Sequence, residues 1–347
     1  MIIRFFTDPH LGLTRNTHTT PASRVKLKQA MSVQANRILD DAPGPVICLG
    51  DLFDKHDVDN NSLIDGLGIY QRCLVTLFGN HDLSNRDDIY SAIEVGAYLE
   101  PDKTHRYQPN EGKASCYSLE QMNIWWVDHK FSQEIFEQAL QDAYDRAYVG
   151  DLLLLHCNYN SSFATQESTL NLTDDDAVTL LDKFSYVLLG HEHQPRLLHN
   201  GRLMILGNTH PTSFSDISDK YFYDFEIEGN HVKQIHRTPV WSEEYCCLEL
   251  NWSDLEGLKS IPPDVQFISV NGVVPAPKLA TVSRQVSDLW KLSEGLLMVR
   301  NNVSSEEDQI QEVEMAVCQS IPERITRELE GTKLEQVWQH YRRLCEP

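Results

Sequence analysis

Positive charge is scarce in this chain. Its 347 residues carry 30 Lys and Arg against 51 Asp and Glu, a formal net charge of −21. Nucleic-acid phosphates are held chiefly by Lys and Arg, so this composition argues against a chain that grips DNA unaided over a broad basic surface. Long apolar runs are also missing. None approaches the roughly 20 residues of a membrane span. The apolar start at Ile2 is too short for a signal peptide and gives way at once to Asp8. The eight cysteines show no Cys-x-x-Cys spacing, and the adjacent pair Cys246-Cys247 is poorly placed to bridge itself. Reduced thiols, a cytoplasmic location and no membrane association are therefore expected. No Gly-x-x-x-x-Gly-Lys-Ser/Thr loop occurs, so any ATP hydrolysis must come from another chain. Internal repeats and low-complexity segments are absent.

What the chain does have is a series of short polar motifs, each placed after an apolar run. Ile2-Ile3-Arg4-Phe5-Phe6 leads into Asp8-Pro9-His10, and Val46-Ile47-Cys48-Leu49 into Gly50-Asp51-Leu52-Phe53-Asp54. Leu74-Val75-Thr76-Leu77-Phe78 leads into Gly79-Asn80-His81-Asp82. Leu152 to Leu155 leads into His156, and Tyr186-Val187-Leu188-Leu189 into Gly190-His191-Glu192-His193. Short apolar runs bounded by glycine or polar residues read as buried strands. Ligands at strand ends can converge on one rim of a rigid scaffold.

Taken singly, an Asp-x-His or His-x-His is usually a loop feature, and Gly-Asn-His-Asp suits a turn. Together the motifs supply carboxylates, imidazoles and one side-chain amide, with no cysteine. That mix suits manganese, iron or zinc better than a thiolate site and is sufficient for two adjacent ions. Asp51 is the natural bridge, because one carboxylate has two oxygens. Two metals about 3.5–4 Å apart can clamp both the attacking and leaving oxygens of a phosphoryl displacement and acidify water.

The motif series resembles the calcineurin-like metallophosphoesterase superfamily over roughly residues 1–230. Gly50 to Asp54 with Gly79 to Asp82 is most similar to the SbcD-type DNA nuclease subunits that pair with an SbcC-type coiled-coil ATPase. The stretch Gly207-Asn208-Thr209-His210-Pro211-Thr212-Ser213-Phe214-Ser215-Asp216 resembles the segment that follows the last ligands there. The resemblance implies a four-layer α/β/β/α sandwich with a small capping domain. It implies that Asp8, His10, Asp51 and His193 hold one divalent metal, with manganese the first choice. Asp51, Asn80, His156 and His191 would hold the other. His81, not itself a ligand, would face the scissile phosphate as general acid or stabilise charge on the leaving oxygen, and Asp82 would orient it and raise its pKa, with Asp54 behind the ligands. The implied activity is exonuclease and endonuclease cleavage of DNA in repair and recombination. The implied assembly is a homodimer with the ATPase, in the nucleoid or, for a bacteriophage version, the host cytoplasm.

Along the chain, residues 1–238 read as alternating strands and helices carrying the motifs, an α/β domain. A helix fits 22–40, with Val25, Ala30, Val33 and Ile38 on one face. Another fits 132–147, and Thr173 is a natural N-cap followed by Asp174 to Asp176. Residues 239–304 read as a β-α-β unit in the place of the capping domain. Residues 305–347 read as helices, with Leu334, Trp338, Tyr341 and Leu344 along one face. That face either packs on the protein's own core or docks the ATPase partner. Arg15, Arg24, Lys26 and Lys28 form a basic cluster that reads either as a solvated face or as a backbone contact.

Two other readings compete. A stand-alone nucleotide or cyclic-nucleotide phosphodiesterase suits the acidic charge. A metal-loaded, non-catalytic binding subunit would keep the ligands without the chemistry. The phosphoprotein phosphatases of the superfamily carry Arg-Gly after the second motif and Glu after Gly-Asn-His. Lys55-His56 and Asp82 stand here instead.

Overall fold

A run of consecutive leucines has no amphipathic pattern, yet the fold splits it by alternation. Leu152 and Leu154 enter one apolar cluster and Leu153 and Leu155 another, because successive strand side chains point to opposite faces. Ile124 and Trp126 divide from Trp125 and Val127 in the same way. Strands buried on both faces need apolar residues at every position, which is why these runs show no polar alternation.

The computed structural model describes residues 1–13, 17–84, 90–100, 111–119, 122–161 and 170–305. Two sheets dominate its first unit, Met1–Cys246. One has the order His231–Trp241, Lys220–Glu228, Ile2–Phe6, Val46–Cys48, Val75–Thr76, with the last three strands parallel. The other has the order Arg196–Leu198, Leu203–Ile205, Tyr186–Gly190, Leu152–His156, Asn123–Val127, Ser115–Ser118, with its four central strands parallel. Between the sheets lie Ile3, Phe5, Ile47 and Phe225 of the first and Trp126, Leu154, Leu188 and Met204 of the second. Helices Pro21–Asp40, Asn60–Arg72 and Ala92–Leu99 cover the outer face of the first sheet. Gln133–Arg146 and Asp174–Leu181 cover that of the second through Phe136, Ala139 and Ala177. The layers run α/β/β/α.

The helices begin where their caps dictate. Thr20 accepts from the Ser23 amide with Pro21 at the first position, Ser132 accepts from Ile135, and Thr173 accepts from Asp176. The buried face of Pro21–Asp40 differs from the expected one. Leu27, Met31, Ala35 and Ile38 face the sheet, whereas Val25 and Val33 are exposed. Ile38 fits both sets, but the true stripe lies on nearly the opposite side of the helix from the valines.

The second unit begins at Cys247. Parallel strands Cys247–Asn251, Phe267–Val274 and Met298–Ser305 form its sheet. Helix Leu279–Asp288 packs Val282 and Val286 on Ile268, Val270 and Val299. The sequence placed the division at 238. The structure places it after Cys246, because His231–Trp241 is an edge strand of the first sheet and pairs Trp241 with Lys220. Residues 306–347, and with them nearly all of the expected docking helices, lie outside the described residues, as does Arg15. Among the described residues, no helix is long and apolar enough to cross a membrane.

The inter-sheet layer predicts its own test. Leu154 is fully buried. Leu154→Ala should destabilise the fold by about 2–5 kcal/mol, the sum of lost transfer energy and cavity, read by urea unfolding. A loss under about 1 kcal/mol would show that this layer is not close-packed.

Candidate metal centre

Parallel pairing puts the C-terminal ends of strands on one edge, and both sheets use that edge. Asp8, Asp51 and Asn80 follow three adjacent parallel strands of the first sheet. His156 ends one strand of the second sheet and His191 follows its parallel neighbour. The first two loops are zipped together by backbone bonds: Asp8 N to Gly50 O at 3.0 Å, His10 N to Asp51 O at 3.1 Å and Leu11 N to Leu52 O at 2.9 Å.

The backbone there is strained. Asp8, His10, Asp51 and His191 have φ of 53°, 45°, 47° and 85°, in the left-handed region. Non-glycine residues pay for that conformation, and it concentrates at functional sites. Glycine is needed beside them. A Cβ on Gly79 would lie 2.1 Å from Asp51 Oδ1, and one on Gly50, at φ 103°, 2.5 Å from His156 Nδ1.

The side chains form overlapping groups: Asp8, His10, His193; Asp51, His156, His191; and His10, Asp51, His81. Within each, the ligand atoms lie within 4.8 Å of one another. Asp51 joins them. Its Oδ2 is 3.8 Å from His10 Nε2 and 3.3 Å from His156 Nε2, and its Oδ1 accepts the His81 amide at 2.9 Å. Asn80 Oδ1 stands 2.9 Å from His191 Nδ1 and 3.3 Å from His156 Nε2. All seven residues expected as ligands thus meet in one place.

The donor set fits divalent cations. His156 Nδ1 donates to the Leu49 carbonyl at 2.7 Å and His193 Nδ1 to Asp216 Oδ2 at 3.0 Å. Each Nε2 is thereby left facing the centre, the usual way an outer hydrogen bond fixes a ligand imidazole. His156 Nε2 there meets only acceptors, Asp51 Oδ2 and Asn80 Oδ1. His10 Nε2 and His193 Nε2 face each other at 3.0 Å, with Asp8 Oδ1 at 3.8 Å from the former.

Protein charges alone balance this site poorly. Burial pulls the His156 pKa down, but Asp51 outweighs it and carries the group up to about 10. Burial also raises Asp8, lowers His10 well below the usual imidazole range, and with His156 lowers His191 to about 3. A proton on His156 stands where a metal cation would satisfy the same acceptors.

His81 Nδ1 donates to the Asp54 carbonyl at 2.6 Å, which fixes the ring, and the ring meets that of His10 edge-on at 4.9 Å. Burial lowers the His81 pKa, but Asp51 and then the Asp54 contacts outweigh it, and the net shift is upward. The Asp54 carbonyl, not Asp82, orients the ring, which corrects that part of the role expected of Asp82, while its raising of the His81 pKa is present but small. The fully buried Asp82 carboxylate accepts from the amides of Phe53 at 2.9 Å, Gly79 at 2.9 Å and Leu52 at 3.3 Å. It clamps the second motif to the third and contributes only the last of the upward influences on His81. Burial, with Asp51 nearby, lifts Asp82 itself to about 7. Asp54 does more than expected: besides fixing His81 through its carbonyl, its Oδ1 lies 3.6 Å from His10 Nδ1.

Some supporting groups escaped the sequence reading. Asp216 Oδ2 accepts from Asn208 Nδ2, the Thr212 amide and the Thr212 hydroxyl besides His193. Burial raises its pKa, but the His193 bond and the backbone amides outweigh that and hold it well below the carboxylate range. The sequence marks the segment Gly207 to Asp216 but gives no role to its last residue. Asp128 Oδ1 accepts the Phe78 amide at 2.8 Å and the His129 amide donates to Phe78 O at 2.9 Å, anchoring the strand end before Asn80.

Residues 1–195 match the family model for calcineurin-like phosphoesterases, and the chain belongs to that family. No curated protein matches its sequence. Among solved structures, the chain is similar to a candidate 5′-nucleotidase from Staphylococcus aureus, solved with alpha-ketoglutarate, at 11% identity and TM-score 0.40, over 69% of this chain and 54% of that one. It is similar to a metallophosphoesterase from Sphaerobacter thermophilus at 12% identity and TM-score 0.30, over 69% of this chain and 88% of that one. It is also similar to Vps29 from Entamoeba histolytica, solved with zinc, at 12% identity and TM-score 0.30, over 70% of this chain and 100% of that one. This chain spans about half the length of the Staphylococcus protein. Likenesses this distant say nothing of substrate or partner.

Metal should therefore act as a folding ligand. Free manganese at about 100 times its Kd should add about 2.7 kcal/mol per site and raise Tm, with EDTA reversing the shift. In Gly79→Ala, whose new methyl meets Asp51, the shift should shrink. A melting curve indifferent to manganese and EDTA would sink the metal-centre reading.

Proposed function

We propose that this chain is a metal-dependent phosphodiesterase that cuts DNA, the nuclease subunit of an assembly with a coiled-coil ATPase. The observation that carries it is the placement of His81. A fixed imidazole stands beside a carboxylate, Asp51, that faces imidazoles on both sides, an arrangement with a proton donor next to a cation-binding rim. Asp8, His10, Asp51, Asn80, His156, His191 and His193 would hold two divalent ions, which when bound would supply Lewis acidity and acidify water.

The chain's own residues do the rest. The left-handed backbone at Asp8, His10, Asp51 and His191 holds their side chains convergent before substrate arrives. The Asp54 carbonyl accepts the His81 Nδ1 proton, so a proton for the leaving oxygen would come from Nε2 of the imidazolium form, the form that the upward shift of its pKa favours. Asp82 keeps the second and third motifs in register by binding three backbone amides. DNA as substrate is supported by the likeness of Gly50 to Asp54, Gly79 to Asp82 and Gly207 to Asp216 to the SbcD-type subunits. Manganese is the metal this reading favours.

The net charge of −21 favours a second reading, a nucleotide or cyclic-nucleotide phosphodiesterase, since a small phosphodiester needs no basic track. In the described part of the basic cluster, Lys28 is paired with Asp59 at 2.7 Å, which removes one candidate phosphate contact. The DNA reading therefore assigns most of the affinity for the duplex to the ATPase partner, bound through residues 305–347, and holds the chain as a homodimer within that assembly.

Purified chain with manganese should degrade linear duplex DNA and hydrolyse bis(p-nitrophenyl) phosphate. Cleavage of the small diester alone, with DNA untouched even when the ATPase is added, would favour the second reading; no cleavage of either would leave a binding subunit. His81→Asn should bind manganese normally and lose about 10²–10⁴ in rate, the usual share of a general acid. Loss of manganese in that variant would instead make His81 a ligand, as its distance to Asp51 and His10 permits. Deleting residues 305–347 should abolish capture by the ATPase while hydrolysis of the small diester persists. Retained capture would place the interface elsewhere.

A further inference from the structure

Lys220 is a lysine with no solvent exposure at all. It opens strand Lys220–Glu228, opposite Trp241. Burying an ammonium is costly unless every proton finds an acceptor. Here each does: Nζ donates to the His193 carbonyl at 3.0 Å, the Asp216 carbonyl at 2.7 Å and Ser218 Oγ at 3.0 Å. Two of these acceptors belong to the residues whose side chains meet across the metal centre's outer edge, His193 and Asp216. A charge on this scale is not required to close a strand, and a leucine would fill the space without the desolvation cost.

We infer that Lys220 is a positioning residue for His193, fixing the backbone of that ligand and of its carboxylate partner in one grip and so setting the affinity of the ion held by Asp8, His10 and His193. This inference rests on the metal-centre reading. The three donors tie residues 193, 216 and 218 to the first sheet, whereas His191 and His156 extend from the second. The same Asp216 whose carbonyl accepts from Nζ takes the His193 Nδ1 proton on its Oδ2 at 3.0 Å, so the grip on the backbone also fixes that carboxylate. With Nδ1 committed as a donor, His193 Nε2 presents its lone pair to the centre. None of the three Nζ hydrogen bonds goes to Asp51, His156 or His191, so their ion should not depend on it.

The test counts ions rather than turnover. Manganese binding to the full chain is measured by the signal of free ion in electron paramagnetic resonance, for the wild type, Lys220→Met, His193→Ala and the double variant. The wild type should bind two ions per chain. Lys220→Met should keep one at unchanged affinity and weaken the other about 10- to 100-fold, the usual effect of losing a group behind a ligand. In the His193→Ala background Lys220→Met should change nothing further, because residues acting through one another are not additive. Equal weakening of both ions, a full additional loss in the His193→Ala background, or no loss at all would each overturn the inference. Should Lys220→Met fail to fold, Lys220→Gln keeps two N–H donors and must show a smaller loss confined to the same ion; a loss spread over both ions overturns the inference there too. A wild type that binds no manganese would overturn the metal-centre reading itself, and this inference with it.

Discussion

The structure depends on bringing the Asp51 carboxylate, almost wholly buried, between imidazoles that come from both sheets. His10 lies on one side of it, His156 on the other, and the His81 amide caps its second oxygen. A buried carboxylate is unfavourable without compensating charge. Asp8 adds a second one close by, and burial pushes its pKa up while Asp51 pushes it further. The rim is thus an electrostatic demand that the polypeptide leaves for cations to meet. The surrounding fold can be read as what is needed to hold that demand in place. The zipped loops, the left-handed backbone and the close approach of Gly79 to Asp51 all work against the relaxation that would let the acids escape to water.

That constraint also explains why both sheets present the same edge. Parallel strands place their C-terminal ends together, so a loop following each strand can add one ligand without any long connection. The first sheet contributes Asp8, Asp51 and Asn80 and the second His156, His191 and His193. The interleaved apolar layer, with Phe5 and Ile47 against Leu154 and Leu188, fixes the spacing between the two halves of the centre. Packing at native density leaves little room for the halves to slide. A defect in that layer is therefore a defect in metal geometry as well as in stability.

Much of this was legible in the sequence, and the reason is local. A strand buried on both faces writes itself as an unbroken apolar run, and a polar residue after it is visible by its type, which is how Asp8, Asp51, Asn80, His156 and His191 stand out as candidate ligands. Caps are equally local, as at Thr173. What stayed hidden was non-local or made by the backbone. The groups that orient His156 and His81 are the carbonyls of Leu49 and Asp54, and a carbonyl carries no residue identity. Asp82 is visible as an acid next to His81, but its partners are three amides, two of them on the second motif's loop some 30 residues upstream. The phase of helix Pro21–Asp40 was misjudged because Val25 and Val33 are apolar yet exposed, whereas Leu27, Met31 and Ala35 complete the true stripe. A folding unit's end is set by pairing, and the match of Trp241 with Lys220 could not be seen from either segment alone.

Lys220 and Asp216 show how a support can be distinguished from a filler. A residue chosen only for packing would be apolar, since removing an ammonium from water outweighs what a single hydrogen bond returns. Lys220 instead uses all three protons on fixed acceptors, and Asp216 places four donors on one oxygen. Networks this fully satisfied specify one arrangement and leave no cheap alternative nearby. They sit behind His193, which stands three residues beyond the end of strand Tyr186–Gly190, while His156 ends its strand and has its Nδ1 held by the Leu49 carbonyl. A side chain that stands beyond the end of its strand takes its aim from whatever holds its loop, and behind His193 that is where the buried charge has been placed.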